Sequence, residues 1–169
     1  MILIYNKMAG FTTKTFMVED DYMTPRQAWK NIIDYIPKDK TIWEPFYGDG
    51  KSGEYLRDLG YNVIHENEDF FENNKGDIII SNPPFSKYKE ILSRLLKIDK
   101  PFILILPISK LCTNTIRDHF TYDHKLQLII PRKRIQFYKT GIQHNRCNFD
   151  CAYYCFKMNL EKDITLLLF

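Results

Sequence analysis

Four consecutive residues in the middle of the chain, Asn82-Pro83-Pro84-Phe85, place an amide, two rigid imino acids and an aromatic ring directly after the apolar run Ile78-Ile79-Ile80 and Ser81. That run, bounded by Gly76-Asp77 and by the prolines, reads as a buried strand that stops where Pro83 removes the next ladder donor. The amide is thereby delivered at the carboxyl end of a strand, the edge where open α/β sheets bind ligands. Two prolines hold the backbone so that the Asn82 amide, the Pro83 carbonyl and the Phe85 ring keep one geometry, which suits a flat polar molecule. The same residues also make an ordinary stiffened turn, and the rest of the chain decides between the two readings.

A second stretch carries chemistry of its own. Thr41-Ile42-Trp43-Glu44 reads as a central strand that breaks at Pro45 into Phe46-Tyr47-Gly48-Asp49-Gly50-Lys51-Ser52-Gly53, followed by a helix from Glu54 to Leu59 that Gly60 ends. Strand, glycine turn and helix in that order form a nucleoside pocket, because glycine lets the backbone approach the ligand and the helix start offers N–H groups. Gly-Lys-Ser suggests a phosphate-binding loop, but Pro45 stands where its first glycine belongs. Gly48, Gly50 and Gly53 satisfy the dinucleotide pattern G-x-G-x-x-G, although the short chain leaves little space for a hydride acceptor's domain. The third reading is an S-adenosylmethionine site. It is supported by the next strand, Tyr61 to His65, which ends at Glu66, eighteen residues beyond Gly48, where a carboxylate can accept ribose hydroxyls. Asp69-Phe70-Phe71 follows with a carboxylate for an adenine amino group and an aromatic wall.

The elements that must position these groups alternate between strand and helix. Thr24 as N-cap, Pro25 at the first helical position and Gln27 form a capping box, and Ala28, Ile32, Ile33 and Ile36 supply the apolar face of a helix running to about Ile36. Ser86 can cap a helix whose face is Ile91, Leu92, Leu95 and Leu96. Pro101 to Leu106 is a near-continuous apolar strand of the kind buried between helical layers, closed by Pro107. Thr113 to Phe120 reads as a helix, Leu126 to Ile130 as a strand that Ile135 to Tyr138 continues, Phe149 to Phe156 as a closing strand and Ile164 to Phe169 as a terminal one. The first twenty residues suggest a strand and a loop. The expected fold is α/β, one doubly wound, mostly parallel sheet with an antiparallel C-terminal strand.

The 169 residues form one domain, residues 1–21 being an N-terminal extension and 132–148 a basic loop region. No apolar run reaches the roughly 20 residues of a membrane span, and Met1 to Tyr5 lacks the basic flank of a signal peptide, so an intracellular, cytoplasmic protein is expected. Cys147, Cys151 and Cys155 recur at spacings of four, which on a strand puts buried free thiols on one side. With no C-x-x-C pair, no metal is expected. The net charge of +3 is unevenly divided. Through Ser81 there are nine Lys/Arg against fourteen Asp/Glu, and beyond it fifteen against seven. Six Lys/Arg and no acid lie between His124 and Phe149, an electrostatic footprint for a polyanion.

Thr24-Pro25, Glu44 to Gly50, the acid Glu66, Asp69-Phe70 and Ser81 to Phe85 occur in one order. In this the chain resembles the class I S-adenosylmethionine-dependent N6-adenine methyltransferases, especially the small phage and viral type with an Asn-Pro-Pro-Phe motif. The resemblance covers about residues 22 to 110. It implies a Rossmann-like domain and an S-adenosylmethionine cofactor held by Thr24, Pro25, Glu44, Pro45, Phe46, Tyr47, Gly48, Gly50, Glu66, Asp69, Phe70 and Asn82. It also implies catalysis by Asn82, Pro83, Pro84 and Phe85. Nucleic acid, DNA rather than RNA, would be gripped by Lys87, Lys110, Arg132, Lys133, Arg134, Lys139, His144 and Arg146. Two departures stand out: only ten residues separate Glu66 from Asp77, so the sheet is expected to be trimmed around its third strand, and there is no space for a target-recognition domain. Sequence choice would then come from loops, a second copy in a homodimer, or a partner protein.

On this reading the Asn82 side-chain oxygen and the Pro83 carbonyl accept hydrogen bonds from an exocyclic amine and aim its lone pair, while Phe85 stacks on the base. The motif by itself also fits cytosine N4, RNA bases and the amide of a protein glutamine. A non-catalytic subunit that binds nucleic acid for a partner is the rival from another class.

Overall fold

A computed structural model of the chain describes residues 20–121, 124–139 and 149–168. Most of the N-terminal extension, together with His144, Asn145, Arg146 and Cys147, lies outside the described residues. The strands are β1 (Thr41–Trp43), β2 (Asn62–Ile64), β3 (Ile78–Ser81), β4 (Phe102–Pro107), β5 (Leu126–Ile130), β6 (Cys151–Phe156) and β7 (Ile164–Leu166). The helices are α1 (Arg26–Lys30), α2 (Lys51–Asp58), α3 (Tyr88–Ile98) and α4 (Asn114–His119).

The strands form one sheet in the order β2-β1-β3-β4-β6-β5-β7. β6 runs antiparallel to both neighbours, and the other pairings are parallel. This is an open, Rossmann-like α/β sheet. Its antiparallel strand is the penultimate one, while β7 adds to the outer edge of β5 in parallel. No described helix or strand falls between β2 and β3, so β2 forms the sheet's edge and that flank is short. Chain order reverses between β1 and β3, which opens a crevice at their carboxyl ends. Glu44 follows β1 directly and Asn82 follows β3.

Strand alternation sorts the core into two layers. Ile42, Ile78, Ile80, Ile103, Ile105, Tyr153 and Cys155 face Trp29 and Ile32 and, from α2, Leu56. Ile79, Leu104, Leu106, Ala152, Tyr154 and Phe156 face Tyr88, Ile91, Leu92 and Leu95 of α3. Burying one such aliphatic side chain contributes about 1.5–3 kcal/mol, so the central strands carry the fold. Cys151 and Cys155 are buried on the first layer, and burial pushes the Cys155 thiol up to about 12. No described helix is long and apolar enough to cross a membrane.

Several local expectations are corrected. The capping box is absent: Pro25 holds the cap position of α1 with no side-chain cap, Thr24 is buried, and Gln27 Nε2 donates instead to Asn31 Oδ1 at 2.7 Å. The α-helix ends at Lys30, and a 3-10 turn over Ile33–Tyr35 completes the segment. α2 begins at Lys51, three residues before the expected start, because Gly50, at φ 82°, turns the chain straight into the helix. Residues 135–138 do not extend β5. Tyr138 instead pairs with Met23 in a single antiparallel bridge.

Candidate functional site

Asp20, Tyr22, Met23, Thr24, Glu44, Phe46, Tyr47, Gly48, Asp49, Ser52, Asn82 and Pro84 line a cleft at the switch point of the sheet. It encloses about 30 Å³, room for one water, and about 380 Å³ once its solvent-filled mouth is counted. The floor is Glu44, 1% exposed. Its carboxylate accepts from Ser52 Oγ at 2.8 Å, Ser81 Oγ at 2.5 Å and the Phe46 N–H at 3.2 Å. One side chain thereby ties the end of β1 to the start of α2 and the end of β3. Burial pushes this carboxyl up to about 7, against the pull of those donors.

Asn82 is positioned from one end only. Its Nδ2 donates to the Tyr22 carbonyl at 2.9 Å, whereas Oδ1 is buried with no hydrogen-bond partner. An amide oxygen left without a donor costs about 1–3 kcal/mol, and such exceptions concentrate where a ligand completes the set. Pro83 and Pro84 are buried, as stiff supports should be. Phe85 does not stand alone beside the amide: its ring meets Phe137 at 6.3 Å and Phe149 at 5.5 Å, both edge-on, and Tyr22 joins the same aromatic group.

A strap of residues 20–24 crosses the mouth. It is held by the Asn82–Tyr22 bond, by the Met23–Tyr138 bridge, and by the Asp20 carboxylate, which accepts from the backbone N–H of Ser86 at 3.0 Å. Tyr138 Oη in turn donates to Asp49 Oδ2 at 2.9 Å, linking the basic half of the chain to the glycine turn. Gly48 sits at φ 56° directly under the strap, where a Cβ would lie 2.9 Å from Met23 Sδ.

The structure brings Thr24, Glu44, Phe46, Tyr47, Gly48 and Asn82 together on the cleft. Other expected cofactor residues lie elsewhere. Pro25, Pro45 and Gly50 are adjacent in sequence but do not line it. Glu66 is 57% exposed and bound by Lys75 Nζ at 2.6 Å, which keeps its carboxyl below the usual range. It points away, while its neighbour His65 is buried beside the Glu44 carbonyl; successive residues of an extended chain face opposite sides. Asp69 accepts from the backbone N–H of Phe71 at 2.8 Å, shaping its own turn, and Phe70 is fully buried behind Phe46. Asp20, Tyr22, Asp49 and Ser52 line the cleft without having been singled out in the sequence. Ser52 carried a signal, since it opens a helix eight residues after Glu44, but of the strap residues Thr24 alone carried one.

The basic candidates share an edge. β1, β3, β4 and β5 all end on the cleft side and β6 begins there, so Lys87, Lys110 and Arg132 to Arg134 follow strands that point to it. Lys133 is exposed. Arg132 donates to the Leu168 carbonyl, Arg134 forks onto Asp150 at 2.7 Å, Lys110 lies 4.3 Å over the Tyr88 ring and Lys139 4.6 Å over Tyr22. Arg134 is thus already partly neutralised.

No family model matches the chain. Over 37 residues, 22% of the chain, it is 43% identical to the type II methyltransferase M.EcoRI of Escherichia coli, a match spanning 11% of that protein's length. Among solved structures, a dimethyladenosine transferase from Plasmodium falciparum is similar with a TM-score of 0.48 at 11% identity, over 79% of this chain and 62% of that one. A proposed class I S-adenosylmethionine-dependent methyltransferase from Listeria monocytogenes has the same TM-score at 10% identity, over 90% and 67% of the two chains. The fold class rests on the strand order itself: an open α/β sheet with a cleft at its switch point.

Proposed function

We propose that the chain is an S-adenosylmethionine-dependent methyltransferase acting on the exocyclic N6 amine of adenine in nucleic acid, DNA before RNA. The observation that carries this reading is the buried, unpartnered Oδ1 of Asn82 at the end of β3, an acceptor held ready for an N–H donor.

The residues present fit the cofactor. Among the described residues the cleft lining contains the carboxylates of Asp20 and Asp49, the buried acid Glu44, and no Lys or Arg. That field favours a cationic ligand and opposes a pyrophosphate. Lys51, the one basic residue of the glycine turn, is drawn to Asp49 at 3.6 Å and to the Tyr138 ring at 5.4 Å, which removes the anchor a phosphate loop would need. Gly48, Tyr47 and Thr24 would hold the nucleoside side of the cofactor. S-adenosylmethionine supplies, when bound, a methyl group activated by its sulfonium charge.

The chain's own residues do the rest. An exocyclic amine is a poor nucleophile because its lone pair is delocalised into the ring. Asn82 Oδ1 and the Pro83 carbonyl, each accepting one N–H, favour a tetrahedral nitrogen and aim its lone pair. The proton departs afterwards from a strongly acidic cationic nitrogen, so no dedicated general base is needed. The aromatic group of Phe85, Phe137, Phe149 and Tyr22 offers faces and edges for the base. A base in a duplex would have to be flipped out, at about a few kcal/mol.

Incubating the protein with methyl-labelled S-adenosylmethionine and, separately, DNA, RNA and protein tests the reading. Label is expected in N6-methyladenine from DNA. Label in cytosine or in protein glutamine would reassign the substrate, and no label together with tight binding of a nicotinamide dinucleotide would overturn the proposal. Nucleic-acid affinity should fall with salt at a slope of about 0.7–0.9 per phosphate contact. Replacing Arg132, Lys133 and Arg134 together by Ala should flatten that slope by about 1.4–1.8 rather than about 2.1–2.7, since Asp150 already compensates Arg134. Parallel salt plots for the two proteins would make the basic segment ordinary surface.

A further inference from the structure

A second concavity, beside the cleft, takes no part in the steps above. It runs between α1 and residues 132–136, measures about 440 Å³, and has no Asp or Glu among its described lining residues. That is the size of a ligand site. Its floor is apolar, built from Pro25, Ala28 and Ile135, the last two 2% and 4% exposed. Gln27 and Asn31 stand on one side and the exposed Lys133 on the other. The two sides converge on the Met23–Tyr138 bridge, and Met23 lines the cleft, so the groove leads away from the cleft's rim. A hydrogen-bond relay fixes which way its two amides point. Tyr153, fully buried, donates its Oη proton to the Ala28 carbonyl at 2.7 Å. A hydroxyl has one proton, so towards Asn31, its other partner, it can only accept. Asn31 therefore turns Nδ2 to the tyrosine and Oδ1 to Gln27, whose Nε2 donates to it at 2.7 Å. Gln27 keeps its Oε1 and its second Nε2 proton, an acceptor beside a donor, in an order set from the core.

We infer that this groove seats a nucleotide flanking the target base and that Gln27 reads it as adenine, Oε1 accepting from N6 and Nε2 donating to N7. The three parts of the groove match the three parts of a nucleotide. The apolar floor of Pro25, Ala28 and Ile135 receives the sugar, Lys133 meets the phosphate and Gln27 faces the base edge, which is where sequence is read. In the major groove adenine alone presents a donor beside an acceptor on its own edge. Guanine shows two acceptors, cytosine one donor, and thymine an acceptor with a methyl group. A glutamine free to rotate could still make one bond to each of these bases. Held by Asn31 and Tyr153, Gln27 sets Oε1 against the guanine or thymine oxygen, where two acceptors repel.

The inference rests on the proposed methyl transfer to DNA, and the test separates the two. Duplexes with one adenine set in randomised flanks are methylated by the full chain from S-adenosylmethionine, and kcat/KM is compared between flanking sequences. The wild type should favour adenine at one fixed flanking position by about tenfold or more, the weight of one bidentate pair. Gln27→Leu, which keeps the bulk and loses both polar atoms, should treat all four bases at that position alike. With 7-deazaadenine there, which lacks the N7 acceptor, the wild type should lose most of its preference. Should the variant fail to fold, the response of the wild type to 7-deazaadenine decides. A preference that survives in Gln27→Leu, one indifferent to the 7-deaza substitution, or a wild type with no preference at any flanking position overturns the inference and leaves methyl transfer standing. So does transfer confined to RNA, whose deep, narrow major groove admits no side chain. No transfer to any nucleic acid overturns both.

Discussion

Asn82→Ala should lower methyl transfer by about 10²–10³-fold or more, the loss found when a single preorganised hydrogen-bonding group is removed from a reacting centre. The structure sharpens what else should change. Nδ2 of this side chain anchors the strap through the Tyr22 carbonyl, so the variant also releases a bond of about 1 kcal/mol that closes the cleft. Cofactor affinity should therefore stay level or rise slightly, and a drop in turnover at constant or better affinity marks a residue that acts on the target amine. Asn82→Asp is expected to be crippled as well. It retains an acceptor but places a second carboxylate near Glu44 and leaves the Tyr22 carbonyl without its donor. Wild-type turnover in either variant would remove Asn82 from the mechanism.

The second large effect concerns stability. Glu44 is buried at the junction of β1, β3 and α2, and its carboxyl is pushed from 4.5 up to about 7. A folded-state value above the unfolded one means that the folded protein holds the proton more tightly. The contribution is then fully favourable below pH 4.5 and is lost as pH rises towards 7. Glu44→Gln mimics the protonated form. Its amide oxygen can accept from Ser81 and the Phe46 N–H, and its NH₂ can donate to Ser52. In urea titrations at a series of pH values the two proteins should match in acid. The Gln variant should then gain an advantage of up to about 3 kcal/mol near neutrality and keep it above that. A difference independent of pH would show that Glu44 is not the titrating group. Glu44→Ala, by contrast, strands three donors and should destabilise by about 3 kcal/mol or more at any pH. A carboxylate here is thus expected to lower stability at neutral pH, and on the proposed function its place in the cleft lining would be the reason to retain it.

Much of the fold was legible because the strongest signals are local. Ile78 to Ile80 and Phe102 to Leu106 are too apolar to be anything but interior, Pro83 and Pro107 close their strands, and Gly48 and Gly50 sit where the chain must turn with positive φ. These residues dictate a buried parallel sheet, a glycine turn after β1 and an amide at the end of β3 wherever the rest of the chain goes. The short flank beyond β2 was legible too, since the ten residues between Glu66 and Asp77 cannot hold a helix and a strand with their turns.

What the tertiary structure alone decided are directions and partners, which depend on where an element stops and what packs on it. After β2 His65 is buried beside the Glu44 carbonyl and Glu66 stands in solvent with Lys75; successive residues of an extended chain face opposite sides, and only packing decides which side is the interior. Phe70 looked like a cofactor wall by type, yet the flank shortened around it draws the ring into the core behind Phe46. Apart from Thr24, the strap over residues 20–24 has no signature, since its three anchors, Ser86, Asn82 and Tyr138, lie 60 or more residues away and pairings at that separation leave no local pattern. The basic segment was visible as charge. That it stands on the cleft edge follows from β5 running parallel to β4 with β6 inserted between them, a property of the sheet and of no residue within the segment.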